Sequence, residues 1–162
     1  MTLPGTAPTD ADIDVVTALI GRVPQGDFRI VVRAETGEPV VLMNAPLLHD
    51  GTPMPTLYWL VGRREVAGVS TLEADATIDR VEELIGLDEI DKIHQRYATS
   101  RNALMPPHHT GPTPSGGVGG TRRGVKCLHA HFAYWLAGGD DAVGQWVADQ
   151  LDERGITRTQ RP

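Results

Sequence analysis

A single cysteine, Cys127, stands among 162 residues. A lone thiol excludes an intramolecular disulfide, and it excludes a zinc site made of cysteines alone. Long apolar runs are also missing: nothing approaches the roughly 20 residues of a membrane span. The opening stretch Met1–Asp10 lacks the basic start and apolar middle of a signal peptide, so the expected location is the cytoplasm. Positive charge is in deficit, with 15 Lys and Arg against 21 Asp and Glu and a net charge of −6. That balance argues against a nucleic-acid coat or a binder of anionic membranes. It leaves room for a local basic cluster holding a small anion. No internal repeat is found.

Hydrophobic residues at 40% and charged residues at 22% are a soluble, globular mixture. A chain of this length buries roughly 70% of its unfolded surface and holds a core without staples. Eighteen glycines and 12 prolines point to long loops. The expected organisation is a loose tail over 1–8, one domain over 9–155, and a second tail over 156–162.

Thr9-Asp10 offers a helix N-cap, Ile13, Val16, Leu19 and Ile20 follow at helical spacing, and Gly21 can end the turn. The period then changes. Phe28–Arg33 and Val40–Met43 flank Glu35-Thr36-Gly37-Glu38 and read as a β-hairpin, and Pro55–Gly62 reads as a third strand. Apolar stripes at Val66, Val69 and Leu72, at Ile78, Val81 and Ile85, and at Leu87, Ile90, Ile93 and Tyr97 predict helices. A Gly/Pro-rich loop over 102–123 carries His108-His109. Two more helices are expected, one from Val125 to Ala137 and one capped by Asp140 that ends near Gly155. The fold class is therefore α+β: a small antiparallel sheet of about three strands packed with four to six helices.

The chemistry concentrates in Gly116-Gly117-Val118-Gly119-Gly120-Thr121-Arg122-Arg123-Gly124-Val125-Lys126-Cys127-Leu128-His129-Ala130-His131. Glycines let backbone N–H groups approach a ligand, and a helix start adds unpaired N–H groups and a positive dipole end. Gly119, Gly120, Arg122, Arg123 and Lys126 thus make a candidate cradle for phosphate or carboxylate, with Thr52, Thr56 and Tyr58 as candidate pocket residues. Arg33 and Arg63-Arg64 could extend a basic pocket. The competing reading is a flexible linker with solvated charges; the Gly-Lys-Ser/Thr ending of a P-loop is missing. Cys127 and His131 stand four apart and share a face if the helix covers both, which suits zinc or iron completed by other ligands. His129 lies roughly 160° away from His131 around such a helix. Cys127 could instead be a nucleophile with His131 as base, and His129 or His131 could donate hydrogen bonds or shuttle a proton. Buried, hydrogen-bonded histidines are the plain alternative.

Four segments, Asp50–Leu60, Leu72-Glu73, Val125–His131 and Leu136-Ala137-Gly138-Gly139, resemble the uncharacterised actinobacterial family catalogued as domain of unknown function 501. The likeness runs from about Arg22 to Gly144. Met54 stands where Phe is common, and Asp141-Ala142 replaces an Asn-Pro-like pair. The resemblance implies a cytoplasmic single-domain protein without an established activity. It draws attention to Thr52, Thr56, Tyr58, Trp59, Glu73, Lys126, Cys127, His129 and His131. Genes of that family tend to lie beside those for enolase, a septum-formation protein and an exopolyphosphatase, which implies phosphate-bearing ligands or a partner in the cell-division machinery. The leading expectation is binding, extending to processing, of a small anionic ligand. The alternatives are a metal site on Cys127 and His131 and a non-catalytic interaction protein of the division or envelope machinery.

Overall fold

A computed structural model describes residues 3–162. Helix α1 (Asp10–Ile20) begins where Thr9 and Asp12 cap each other reciprocally and ends at Gly21 in the left-handed region, φ 76°. Strands β1 (Phe28–Arg33), β2 (Pro39–Asn44) and β3 (Tyr58–Leu60) form one antiparallel sheet in the order β1-β2-β3. The third strand is shorter than the apolar run that predicts it, because Pro55 and Thr56 lie in the connection from β2. Helices α2 (Arg63–Ala74), α3 (Thr77–Ile85) and α4 (Leu87–Asn102) follow, then a 3-10 turn at Val118–Gly120, α5 (Leu128–Leu136) and α6 (Ala142–Glu153). Among the described residues the architecture is α+β, six helices with a three-stranded antiparallel sheet.

The sheet separates two cores. All six residues of β2 are buried. Val41 and Met43 face the helical layer, whereas Leu42 faces α1 together with Val16, Phe28 and Ile30. A register shift between Ile30 and Val32 pairs Ile30 with Leu42 but Val32 with Val41. The extra residue turns Val32 to the opposite face from Ile30 and into the larger core. That core is completed by Leu72, Val81, Ile90, Ile93, Phe132, Leu136, Val147 and Leu151.

Two further boundaries differ from the sequence reading, and both matter for the site. The last helix is capped by Asp141, not Asp140: its Oδ1 accepts from the N–H groups of Val143 and Gly144 at 2.9 and 3.0 Å. Helix α5 begins at Leu128, not Val125. Gly124 turns the chain with φ 68°, and Cys127 is extended, φ −143°, ψ 116°.

The long loop after α4 is tied down from within. Arg101, 1% exposed, donates to the carbonyl oxygens of Pro55 (3.0 Å) and Pro114 (3.4 Å). It thereby stitches the loop to the segment before β3. Residues 156–162 carry no helix or strand, yet they run back over the domain. Thr159 donates through N and Oγ1 to Oε1 of the buried Glu65 at 2.7 and 2.8 Å, and Ile156 packs on the core. Of the expected tail over 1–8, Met1 and Thr2 lie outside the described residues, and Thr6 bridges to Ile30.

Candidate functional site

Shortening α5 redistributes the residues singled out in the sequence. With Cys127 outside the helix, the four-residue spacing to His131 no longer places the two on one helical face. Cys127 is found with His129 and with Glu73 of α2. His131, on the other side of α5, is found with Asp141. The roughly 160° separation of the two histidines is kept.

The first cluster lies between α2 and the start of α5. Glu73 Oε1 accepts from the Leu128 N–H at 2.7 Å, so an internal carboxylate caps the first free N–H of α5. The same oxygen is 3.2 Å from His129 Nδ1, and Cys127 Sγ is 3.8 Å from that nitrogen. One donor atom each from Glu73, Cys127 and His129 lies within 4.8 Å of the other two. Among the described residues this is the one group of three metal-ligating side chains that converges so closely. On the far side of the ring, Nε2 is 3.2 Å from the Val66 carbonyl oxygen and 3.0 Å from Ser70 Oγ. A carbonyl oxygen only accepts, so Nε2 carries a proton and donates it. That proton removes His129 as a base for Ser70, although Ser70, His129 and Glu73 stand in the order of a hydrolytic triad. Burial pulls the His129 pKa down. The Cys127 thiol, the Glu73 charge and the Val66 carbonyl outweigh burial, and the net direction is up. The pocket around Nδ1 favours a positive charge. All three side chains are half-buried.

The second cluster is buried throughout. His131 Nδ1–H donates to Asp141 Oδ2 at 2.7 Å, with His131 1% exposed and Asp141 2%. His131 Nε2 is buried and finds no hydrogen-bond partner among the described residues. The His94 ring lies against it, centroids 5.7 Å apart. His94 Nε2–H donates to the Gly124 carbonyl at 2.7 Å, and its Nδ1 accepts from the Val118 N–H at 3.0 Å.

Four N–H groups of the glycine-rich segment are bonded within the protein. Val118 N–H goes to His94, Gly117 N–H to the Thr121 carbonyl, Gly120 N–H to Gly117, and Thr121 N–H to Val118. Gly119, at φ 60°, lies in the 3-10 turn. Arg122, Arg123 and Lys126 are exposed. Thr52 closes a turn, its N–H donating to Asp50 Oδ1 at 2.9 Å. The Thr56 carbonyl accepts from Asn44, and Tyr58 stacks on Tyr134 at 5.6 Å. Gly120 packs on Pro55, so the loop reaches the segment before Thr56. A groove of about 650 Å³ lies elsewhere, between the β1–β2 turn, the start of α2 and residues 157–160. Arg33, Arg63 and Arg64 line it, each beside a carboxylate: Asp12, Glu38 and Glu65.

A family model described as a protein of unknown function, DUF501, matches residues 30–149. The chain belongs to the DUF501 family. No curated protein and no solved structure matches the chain. The match spans every residue of both clusters, from Val66 and Glu73 to Asp141. Glu73 enters the sequence reading only through the family resemblance, since one glutamate on a helix carries no signal of its own. Val66 and Ser70 give none either, because their part is played by a carbonyl and by a hydroxyl brought close only by the fold. Asp141 had a visible signal, an acidic residue before the α6 apolar stripe, shared with Asp140.

Proposed function

We propose that this DUF501 protein binds one divalent, thiolate-tolerant metal ion, zinc by its donor set, through Glu73, Cys127 and His129. The observation that carries the reading is the orientation of His129. With the Nε2 proton committed to Val66, Nδ1 turns its lone pair toward a carboxylate oxygen and a sulfur. A cation at that point, a proton on Nδ1 or a metal ion, is favoured by the Glu73 charge and takes the place of the Cys127 S–H that otherwise donates to Nδ1. The raised His129 pKa expresses the same preference. A metal-bound histidine that donates its other N–H to a backbone carbonyl is the usual bracing of such a site. The Leu128 N–H braces Glu73 in the same way. Oxygen, nitrogen and sulfur together suit zinc, with iron next.

Three protein ligands are the number found where zinc keeps a coordination position for water or substrate. Arg122, Arg123 and Lys126, exposed on the segment leading into Cys127, make an anionic group, phosphate or carboxylate, the proposed class of ligand there. In this reading the basic residues of the glycine-rich segment act through charge beside the ion, and the segment's N–H groups act as internal fastenings.

The test is metal content of the untagged protein purified without chelator, followed by Co²⁺ substitution and absorption spectroscopy. One zinc per chain is expected, with a sulfur-to-cobalt charge-transfer band lost in Cys127→Ser and weakened binding in Glu73→Gln. A folded protein that retains no metal and takes up neither Zn²⁺ nor Co²⁺ at micromolar concentration overturns the proposal. Full occupancy in Cys127→Ser overturns the ligand set.

A further inference from the structure

His94 makes two hydrogen bonds of opposite sense to one segment of chain. Nε2–H donates to Gly124 O, and Nδ1 accepts from Val118 N–H. The ring is therefore neutral, with its single proton on Nε2. Just before the Val118 contact the backbone passes close to His94. A Cβ at Gly117 would fall on His94 Cβ and come within 2.5 Å of Nδ1, so no side chain fits there. On α4, Arg101 holds the residues just before the segment, at the Pro114 carbonyl, while the N–H groups of Gly117, Gly120 and Thr121 bond within the segment. A second proton on the ring would convert Nδ1 from acceptor to donor, facing the Val118 N–H. Two donors at 3.0 Å repel, and the buried Val118 N–H would be left without a partner.

We propose that His94 is an acid-sensitive latch on the Gly117–Gly124 segment, and that protonation of its ring lifts the segment and admits water to the His94–His131 pair. The groups that face the ring are Asp91 on α4 itself, His131 on α5 and Asp141 at the head of α6; Glu82 of α3 lies against Gly124 beyond it. Burial is the largest influence and disfavours the charged ring. The Gly124 carbonyl and the two aspartates partly offset it, and His131 adds to it, so the His94 pKa falls below the ordinary histidine value. The latch therefore holds at neutral pH and opens on the acid side. Opening also hydrates the buried, unpartnered His131 Nε2, which offsets part of the lost Val118 bond. The latch does not depend on the metal, because none of its bonds involves Glu73, Cys127 or His129.

Amide hydrogen exchange at about pH 7.5 and about pH 5, corrected for intrinsic rates, tests it on the intact protein. Protection of the Val118 amide should fall roughly tenfold or more in acid, while the Leu57 amide, held by Tyr97, keeps its protection. His94→Asn places an amide oxygen near the position of Nδ1 and cannot titrate, so its Val118 protection should be flat with pH. Equal Val118 protection at both pH values overturns the latch. So does loss in step with the whole core, or the same acid dependence in His94→Asn. If that variant does not fold, ¹⁵N shifts of His94 in the wild type decide. Ring protonation and Val118 exchange must share one midpoint, and separate midpoints overturn the proposal.

Discussion

Replacing Asp141 with alanine removes two separate interactions at one buried point. Oδ1 holds the second and third N–H groups of α6, those of Val143 and Gly144, and Oδ2 holds His131 Nδ1. Loss of an aspartate N-cap costs about 1 kcal/mol. Leaving the imidazole N–H unpaired, with His131 1% exposed, costs about 1–3 kcal/mol more. The expected loss is about 2–4 kcal/mol, a large share of the roughly 5–15 kcal/mol that holds a domain together. At roughly 2–4 °C per kcal/mol for a domain of this size, the melting temperature should fall by about 4–16 °C. Urea unfolding followed by tryptophan fluorescence measures it, since Trp135 and Trp146 lie on the two helices that meet here. Asp141→Asn separates the contributions: its carbonyl oxygen keeps the cap, and only the contact to His131 changes. It should therefore lose less than the alanine variant. A loss below about 1 kcal/mol in Asp141→Ala, or equal losses in both variants, would refute the reasoning.

Three further outcomes are expected. Gly144→Ala should destabilise by about 1–3 kcal/mol in a thermal melt, because its Cβ would meet the His131 carbonyl oxygen at 2.5 Å and the Trp135 Cβ where α5 and α6 cross. Tyr97→Phe removes the hydroxyl that accepts from the Leu57 and Tyr58 N–H groups at 2.6 and 3.1 Å. It should cost about 1–3 kcal/mol in urea, with Leu57 amide protection lost first. Asp12 is held well below the usual carboxylate range by the Arg33 guanidinium and the Thr9 N–H. A carboxylate depressed in the folded state contributes stability above its unfolded pKa and loses it as pH falls toward the folded one. Urea midpoints should therefore drop below about pH 4, and Asp12→Asn should flatten that drop.

The sheet and the helices were legible because their signals are local. Thr9 with Gly21, the β-branched run of β1, and the stripes ending at Ile85 and Tyr97 each fix an element from within. The start of α5 was not, because two non-local contacts decide it. Val125-Lys126-Cys127 continues the helical pattern of Leu128–Leu136, but Glu73 takes the Leu128 N–H and His94 holds Gly124. That shift of three residues changes which histidine meets Cys127. The residue types of the candidate site were therefore visible, and their grouping was not. Asp141, the partner of His131, was passed over for its neighbour Asp140, since sequence alone does not tell which of two adjacent aspartates faces inward.

The sheet with a core on each face sets an order of opening. On one face β2 meets the whole helical layer; on the other it meets only α1, whose single fully covered residue is Val16. Elements held by few apolar contacts open at lower free energy than the global transition. Helix α1 is therefore expected to detach at lower free energy than the sheet it covers, baring Phe28, Ile30 and Leu42. Two molecules opened in this way present complementary halves of one small core, so the hinge at Gly21–Gly26 is where exchange of α1 between copies would begin at high concentration.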